Sequence, residues 1–225
     1  MSELEVSPVA MKSGDTFPAP QFKTLAALSD ELAAMGTHSA EYWDKQVHTV
    51  PRSQTVDRTK YLVKHCTGKT VLHIGCTGQL DEELRKVAKK CYGIDKEPSE
   101  RADYVAMDLD RLHMGITYRN LADVEIVVCG EVLEHLSNPG IFLEWLRFEY
   151  KVPVIFTVPN AHSIEGQKWL VQTGRENCNR DHVCYYTYTT LKELLRRAGY
   201  TIQAHFWYGG KPYIAEGLIV VGRPA

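Results

Sequence analysis

Between Val124 and Leu136 the chain reads VEIVVCGEVLEHL, an apolar run ending at Cys129-Gly130 and followed at once by Glu131, Glu134 and His135. If the chain turns helical after Gly130, positions i, i+3 and i+4 put both carboxylates and the imidazole on one face. Ionisable groups massed at the end of a buried strand are costly unless they bind something. Carboxylate oxygens and an imidazole nitrogen could hold a divalent cation that makes an acceptor hydroxyl nucleophilic. His135, or His182 in RDHVCYYT, could instead serve as a metal-free general base around neutral pH. The plain alternative is a solvated first helical turn, where acids are favoured by the macrodipole. Cys178, His182 and Cys184 also offer zinc-type ligands, but a fourth ligand and a standard spacing are missing.

The surrounding pattern supplies a scaffold for these residues. Strands are expected over Thr70–Gly75, Cys91–Asp95, Ala102–Met107, Val124–Cys129 and Val152–Val158, and two more near Thr201–Trp207 and Gly217–Gly222. Helices are expected over Val56–His65, along Leu80, Leu84, Val87 and Ala88, and after Asn138-Pro139, a cap followed by proline at the first helical position. A further helix carries Leu191, Leu194, Leu195 and Ala198, with Thr190 and Glu193 as its capping-box pair. Alternating strands and helices predict a doubly wound, mostly parallel seven-stranded α/β sheet. The last two strands, joined through Gly209-Gly210, should form an antiparallel hairpin. In such sheets ligands sit beyond the C-terminal ends of the strands, near the switch in strand order. The site should therefore be built from His73–Gln79, Asp95-Lys96, Asp108–Asp110 and Cys129–His135.

That list contains half of a nucleotide site. In VLHIGCTGQL, Gly75 and Gly78 bracket the turn between strand and helix, where glycine lets the backbone approach a ligand. Asp95 ends the next strand, where a carboxylate can hold two ribose hydroxyls. The GxGxxG fingerprint of pyrophosphate binders is absent, since Thr77 and Leu80 stand where its later glycines would. The turn suits a nucleoside without phosphates better than a dinucleotide. His73, on the first strand, reads as a satisfied core histidine.

At 225 residues, with 44% apolar and 24% charged residues, the chain suits one domain with an appendage. Residues 1–55 read as an N-terminal arm and a helical lid, the latter from Leu25, Leu28, Leu32 and Met35 before Gly36; residues 56–225 form the main domain. A net charge of −2 advertises no large nucleic-acid footprint. Six cysteines without CxxC spacing favour reduced thiols and a cytoplasmic setting. Neither a signal peptide nor a membrane-spanning run is expected.

VLHIGC, YGID, DLD and VCGEVLEHL resemble, in order, the motifs of class I S-adenosylmethionine-dependent methyltransferases. TVPN (157–160) and HVCYYTYTTLKELLRRAGY (182–200) resemble that family's later motifs, so the likeness covers residues 60–223. It implies a Rossmann-like fold, S-adenosylmethionine as cofactor, and methyl transfer. It also implies that Gly75, Cys76 and Gly78 line the methionine portion, that Asp95 holds the ribose, and that Asp108 with Leu109 meets the adenine. The EVLEH segment is similar to those of small-RNA 3′-terminal 2′-O-methyltransferases and ubiquinone-pathway O-methyltransferases. That likeness implies a Mg²⁺ or Mn²⁺ site at Glu131, Glu134 and His135, with His182 at the position of a distant fourth ligand. Three readings stay open: such a cation site, His135 or His182 as base, or Glu131 touching only the cofactor's methionine end. Two departures stand out, His73 where the family usually has aspartate and the Gly75-Cys76-Thr77-Gly78-Gln79 turn. The expected acceptor is a small hydroxylated molecule, with an RNA 3′ end second. A catalytically silent binding module of the same fold is the alternative from a different class.

Overall fold

The computed structural model describes residues 49–114, 121 and 123–225. Nearly all of the expected arm and lid therefore lies outside the described residues. Val50–Ala225 forms one compact unit. Its elements run α1 (Arg58–Cys66), β1 (Thr70–Ile74), α2 (Gly78–Val87), β2 (Lys90–Asp95) and β3 (Tyr104–Ala106). A 3₁₀ turn (Leu109–Met114), β4 (Ile126–Gly130), a second 3₁₀ turn (Leu133–His135) and α3 (Pro139–Glu149) follow. The chain closes with β5 (Val154–Pro159), α4 (Ile164–Thr173), α5 (Tyr188–Arg197), β6 (Tyr200–Tyr208) and β7 (Gly217–Pro224).

All seven strands join one sheet in the order β3-β2-β1-β4-β5-β7-β6. Parallel pairing runs from β3 through β5, and β7 is antiparallel to both β5 and β6. Strand β1 is buried along its whole length because helices cover both faces. Its side chains alternate: Leu72 and Ile74 join the core with Phe142, Leu146 and Leu191, while Val71 packs with Leu62, Leu84 and Ile155. The chain leaves β3 at one edge and re-enters the sheet at β4 beside β1. A crevice opens there, at the carboxyl ends of the strands.

Helix caps follow local chemistry. Asn138 caps α3 by accepting the Ile141 N–H, with Pro139 at the helix start as expected. The capping box of α5 is Thr187 with Thr190, one turn earlier than the expected Thr190–Glu193 pair. Glu193 instead pairs with Arg196 and Arg197 on the exposed face, where neighbouring guanidiniums draw it. Helix α4 has no counterpart in the sequence reading because it buries no side chain and so leaves no apolar stripe.

His73 is a satisfied core histidine. Its Nδ1 lies 3.0 Å from Asp81 Oδ1, and Asp81 Oδ2 accepts Arg101 Nη1 at 2.7 Å. Burial pushes the Asp81 carboxyl up, but the hydrogen bond and charge of His73, with Arg101, outweigh it and leave it below its ordinary value.

Candidate active site

A cleft of about 540 Å³ crosses the strand ends. Asp108, Asp95, Gly75 and Glu131 line it, following β3, β2, β1 and β4 in the order of the sheet. Gly75 has φ +76, and a Cβ there would come within 2.5 Å of Val132 Cγ2 and 3.2 Å of the Gly130 carbonyl oxygen. Only glycine fits this close approach of the β1 and β4 turns. Asp95 Oδ1 accepts the Glu97 N–H at 3.2 Å, and Asp108 Oδ1 accepts that of Asp110 at 3.1 Å, so backbone turns fix both acids. Leu109 also lines the cleft, whereas Cys76 and Gly78 do not. Cys76 is buried, with its Sγ turned toward the space left by Gly93. Burial first, then the charges of Asp81 and Asp95, pushes its thiol up to about 12.

The acidic-histidine segment departs from the expected α-helical face. Glu131 takes φ +55, left-handed backbone that is uncommon for a residue other than glycine. Its N–H donates to Thr157 O at 2.9 Å, extending the β4–β5 ladder by one bond. The chain then enters the 3₁₀ turn, and Glu131 does not join the ligand atoms of Glu134 and His135 that lie within 4.8 Å of one another. Glu131 Oε1 accepts the Tyr208 hydroxyl and Thr157 Oγ1, each at 2.8 Å, and lies 3.3 Å from Arg58 Nη1.

Glu134 is the opposite case. It is 1% exposed, and neither carboxylate oxygen has a hydrogen-bond partner among the described residues. Burial, reinforced by the Glu131 charge, pushes it up to about 8. Ligand atoms of Glu134, His135 and His182 all lie within 4.8 Å of one another, and the two imidazoles meet edge to face at 4.6 Å. Burial and the neighbouring His135 lower the His182 pKa, favouring the neutral ring that ligates metals.

Backbone docking brings His182 there. The Val183 and Cys184 N–H groups both donate to Glu134 O, at 2.8 and 3.1 Å, and the Tyr186 hydroxyl donates to Leu133 O at 3.2 Å. Of the four residues expected around a cation, three therefore converge and Glu131 stands aside. His135 belongs both to the trio and to the cleft wall. Cys178 does not join them; it lies 3.0 Å from the Tyr185 hydroxyl. Arg58, Thr157 and Tyr208 went unmarked as partners of Glu131, because they come from α1, β5 and β6 and share no local pattern with it.

A family model described as "Methyltransferase domain" matches residues 43–205. The chain belongs to the class I S-adenosylmethionine-dependent methyltransferases. A ubiquinone biosynthesis O-methyltransferase of Paraburkholderia xenovorans is 38% identical to this methyltransferase over 96 residues, 37% of this chain and 40% of that protein. The chain spans about half the length of the other curated relatives it matches. Among solved structures, small RNA methyltransferase HEN1 superposes with a TM-score of 0.60 at 18% identity, covering 79% of this chain and 27% of that one. A 1,6-didemethyltoxoflavin-N1-methyltransferase of Burkholderia thailandensis, solved with bound 1,6-didemethyltoxoflavin and S-adenosylhomocysteine, gives a TM-score of 0.53 at 14% identity, covering 74% of this chain and 76% of that one. These two likenesses are of fold. No helix among the described residues is long and apolar enough to cross a membrane.

Proposed function

We propose that this methyltransferase moves the methyl group of S-adenosylmethionine to a hydroxyl of a small-molecule acceptor, assisted by Mg²⁺ or Mn²⁺ at Glu134, His135 and His182. The observation that carries the reading is the Glu134 carboxylate, buried beside two histidines without a hydrogen-bond partner among the described residues. Leaving a buried carboxylate unpaired costs several kcal/mol unless it is protonated or meets a cation. Carboxylate oxygen with imidazole nitrogen suits Mn²⁺ well and also accepts Mg²⁺.

When bound, S-adenosylmethionine supplies an electrophilic methyl group and the cation polarises the acceptor oxygen. The protein's share is positioning. Asp95 is set to take the ribose hydroxyls, Asp108 and Leu109 to frame the adenine, and Gly75 to let the donor lie against the backbone. His135, in both cleft and trio, joins the donor side to the acceptor side. The curated relatives named as O-methyltransferases support a hydroxyl as the accepting group.

Calorimetric titration with S-adenosylhomocysteine, followed by radiolabelled methyl transfer to a catechol with Mn²⁺ or with EDTA, tests this. One-site binding and Mn²⁺-dependent labelling are expected. A folded protein that binds no S-adenosylhomocysteine would be a silent module. Labelling of an RNA 3′-terminal ribose in preference to catechols would move the acceptor class to RNA.

A further inference from the structure

Three residues that the proposed reaction leaves unused, His73, Asp81 and Arg101, join the two turns on the β1–β2 side of the cleft. Asp81 is a buried residue of α2. Its carboxylate accepts from His73 of β1 on Oδ1, at 3.0 Å, and from Arg101 of the β2–β3 connection on Oδ2, at 2.7 Å. Arg101 Nε also donates to Asp103 Oδ1 at 3.1 Å. Arg85, one turn along α2 from Asp81, donates to both oxygens of Asp103, each at 3.1 Å. Two residues of one helix therefore grip the same stretch of the connection. Further along it, the Arg101 guanidinium lies 5.6 Å from the centre of the Tyr104 ring, and the Tyr104 hydroxyl donates to Glu97 O.

A second contact runs beside the first. A Cβ on Gly93 would come within 2.6 Å of Cys76 Sγ, 3.0 Å of Tyr104 Cδ2 and 3.3 Å of Arg101 Nη2. The bare glycine lets side chains from the β1 turn, β3 and the connection converge over β2. None of His73, Asp81 and Arg101 lines the cleft, but the turns they join do: Gly75 and Thr77 on one side, Asp95, Lys96 and Glu97 on the other. The strand ends are tied by backbone, Gly75 N–H to Ile94 O and Met107 N–H to Asp95 O. Past them, Thr77 N–H donates to Gly75 O and Glu97 N–H to Asp95 Oδ1, each within its own turn. The links from turn to turn are made by side chains, and a guanidinium fork can hold two carboxylates at once.

We infer that His73, Asp81 and Arg101 brace these two turns against each other and are positioning residues for S-adenosylmethionine. This rests on the cofactor reading proposed above. A binding site needs its contacting groups held by neighbours that do not themselves touch the ligand. The brace also accounts for the departure at position 73: β1 carries a histidine, and α2 brings the carboxylate to it. Loosening the brace lets the turns shift and weakens donor binding without removing any group that contacts the donor.

The test uses Arg101→Gln, which removes the fork and leaves the His73–Asp81 pair in the core. Calorimetry should show S-adenosylhomocysteine bound about tenfold more weakly, the scale of a residue that acts through others. Arg101→Lys, which keeps the charge but cannot reach both acids, should fall between Arg101→Gln and wild type. Hydrogen exchange at the Thr77 and Glu97 amides should quicken in Arg101→Gln, while exchange in β5 and β7 stays as in wild type. Should Arg101→Gln fail to fold by circular dichroism, Asp81→Asn takes its place with the same expectations. A lowered Tm with unchanged S-adenosylhomocysteine affinity would make the network a matter of core stability and overturn the inference. Quickened exchange throughout the sheet would overturn it too, because the damage would then be general. A wild type that binds no S-adenosylhomocysteine would overturn this inference together with the cofactor reading, whereas unchanged affinity in the variants would overturn this one alone.

Discussion

The two halves of the cleft are built differently. On the β1–β3 side, Gly75, Asp95 and Asp108 sit at strand ends, and short backbone bonds hold both acids. On the β4 side, Glu134, His135 and His182 meet only because a loop from beyond β5 docks onto a 3₁₀ turn. In the second half, the buried Glu134 carboxylate has no hydrogen-bond partner among the described residues. Preorganisation therefore differs within one site: one side offers formed contacts, the other a buried carboxyl whose proton a cation would displace.

Variants that touch one half and spare the other would sharpen this contrast. Glu134→Ala should have the largest effect. It removes the central carboxylate, so Mn²⁺-dependent turnover should fall by at least the roughly 100-fold typical of groups that merely support metal ligands. S-adenosylhomocysteine affinity, read by calorimetry, should stay within about twofold of wild type, since removing one remote contact leaves the ribose side intact. Asp95→Ala should do the reverse, weakening S-adenosylhomocysteine about ten- to a hundredfold while Mn²⁺ titrations superimpose. Loss of Mn²⁺ uptake in Asp95→Ala would show that the halves are one coupled unit.

The pH dependence should be smaller and confined to the second half. Burial and the Glu131 charge hold the Glu134 carboxyl at about 8, so it is protonated at pH 7 and a cation must displace that proton. Mn²⁺ affinity should therefore fall about tenfold per pH unit below about 8, and level off above it. His182 is already neutral at pH 7 because its pKa is lowered, and it adds no proton of its own. The same shift has a sign for stability. A carboxyl raised in the folded state stabilises below its unfolded value and loses that contribution as pH rises through about 8. The metal-free protein should thus lose Tm between pH 5 and 8, and Mn²⁺ should restore it. A Mn²⁺ affinity flat from pH 6.5 to 8.5 would place the ligand set elsewhere.

The contrast also explains what the sequence made legible. Each half-site group of the first kind ends a strand that is itself an apolar run, so VLHIGC, YGID and DLD could be placed in chain order and on the correct end of the sheet. Glu131, Glu134 and His135 were equally visible, but their shared helical face was not formed. Pairing of Glu131 with Thr157 and the packing of Val132 against Gly75 override helical geometry there, and neither contact is local in sequence. His182 was placed beside Glu134 and His135 through resemblance alone, since nothing in the spacing from His135 links the two. The packing of the Tyr208 ring over Gly217 is a cross-strand event, legible only once the β6–β7 register is known. Helix α4 shows the other limit: a helix that packs nothing inward has no periodic signal to read.

The smallest predicted effect tests how the second half is held together. The Tyr186 hydroxyl donates to Leu133 O, while the Tyr186 carbonyl accepts from Ala161 N at 2.8 Å. Tyr186→Phe keeps the ring and the backbone bond but leaves the Leu133 carbonyl in an apolar setting with one donor fewer. That costs about 1 kcal/mol, or roughly a fivefold change in an equilibrium that depends on the docked loop. Mn²⁺ affinity should fall by about that factor, because His182 rides on the loop that Tyr186 helps pin. S-adenosylhomocysteine affinity should not move, because among the described residues no group on the β1–β3 side bonds to that hydroxyl. Equal losses for both ligands would mean that the loop also organises the cofactor side. The two halves would then differ in how they are assembled but not in what they bind independently.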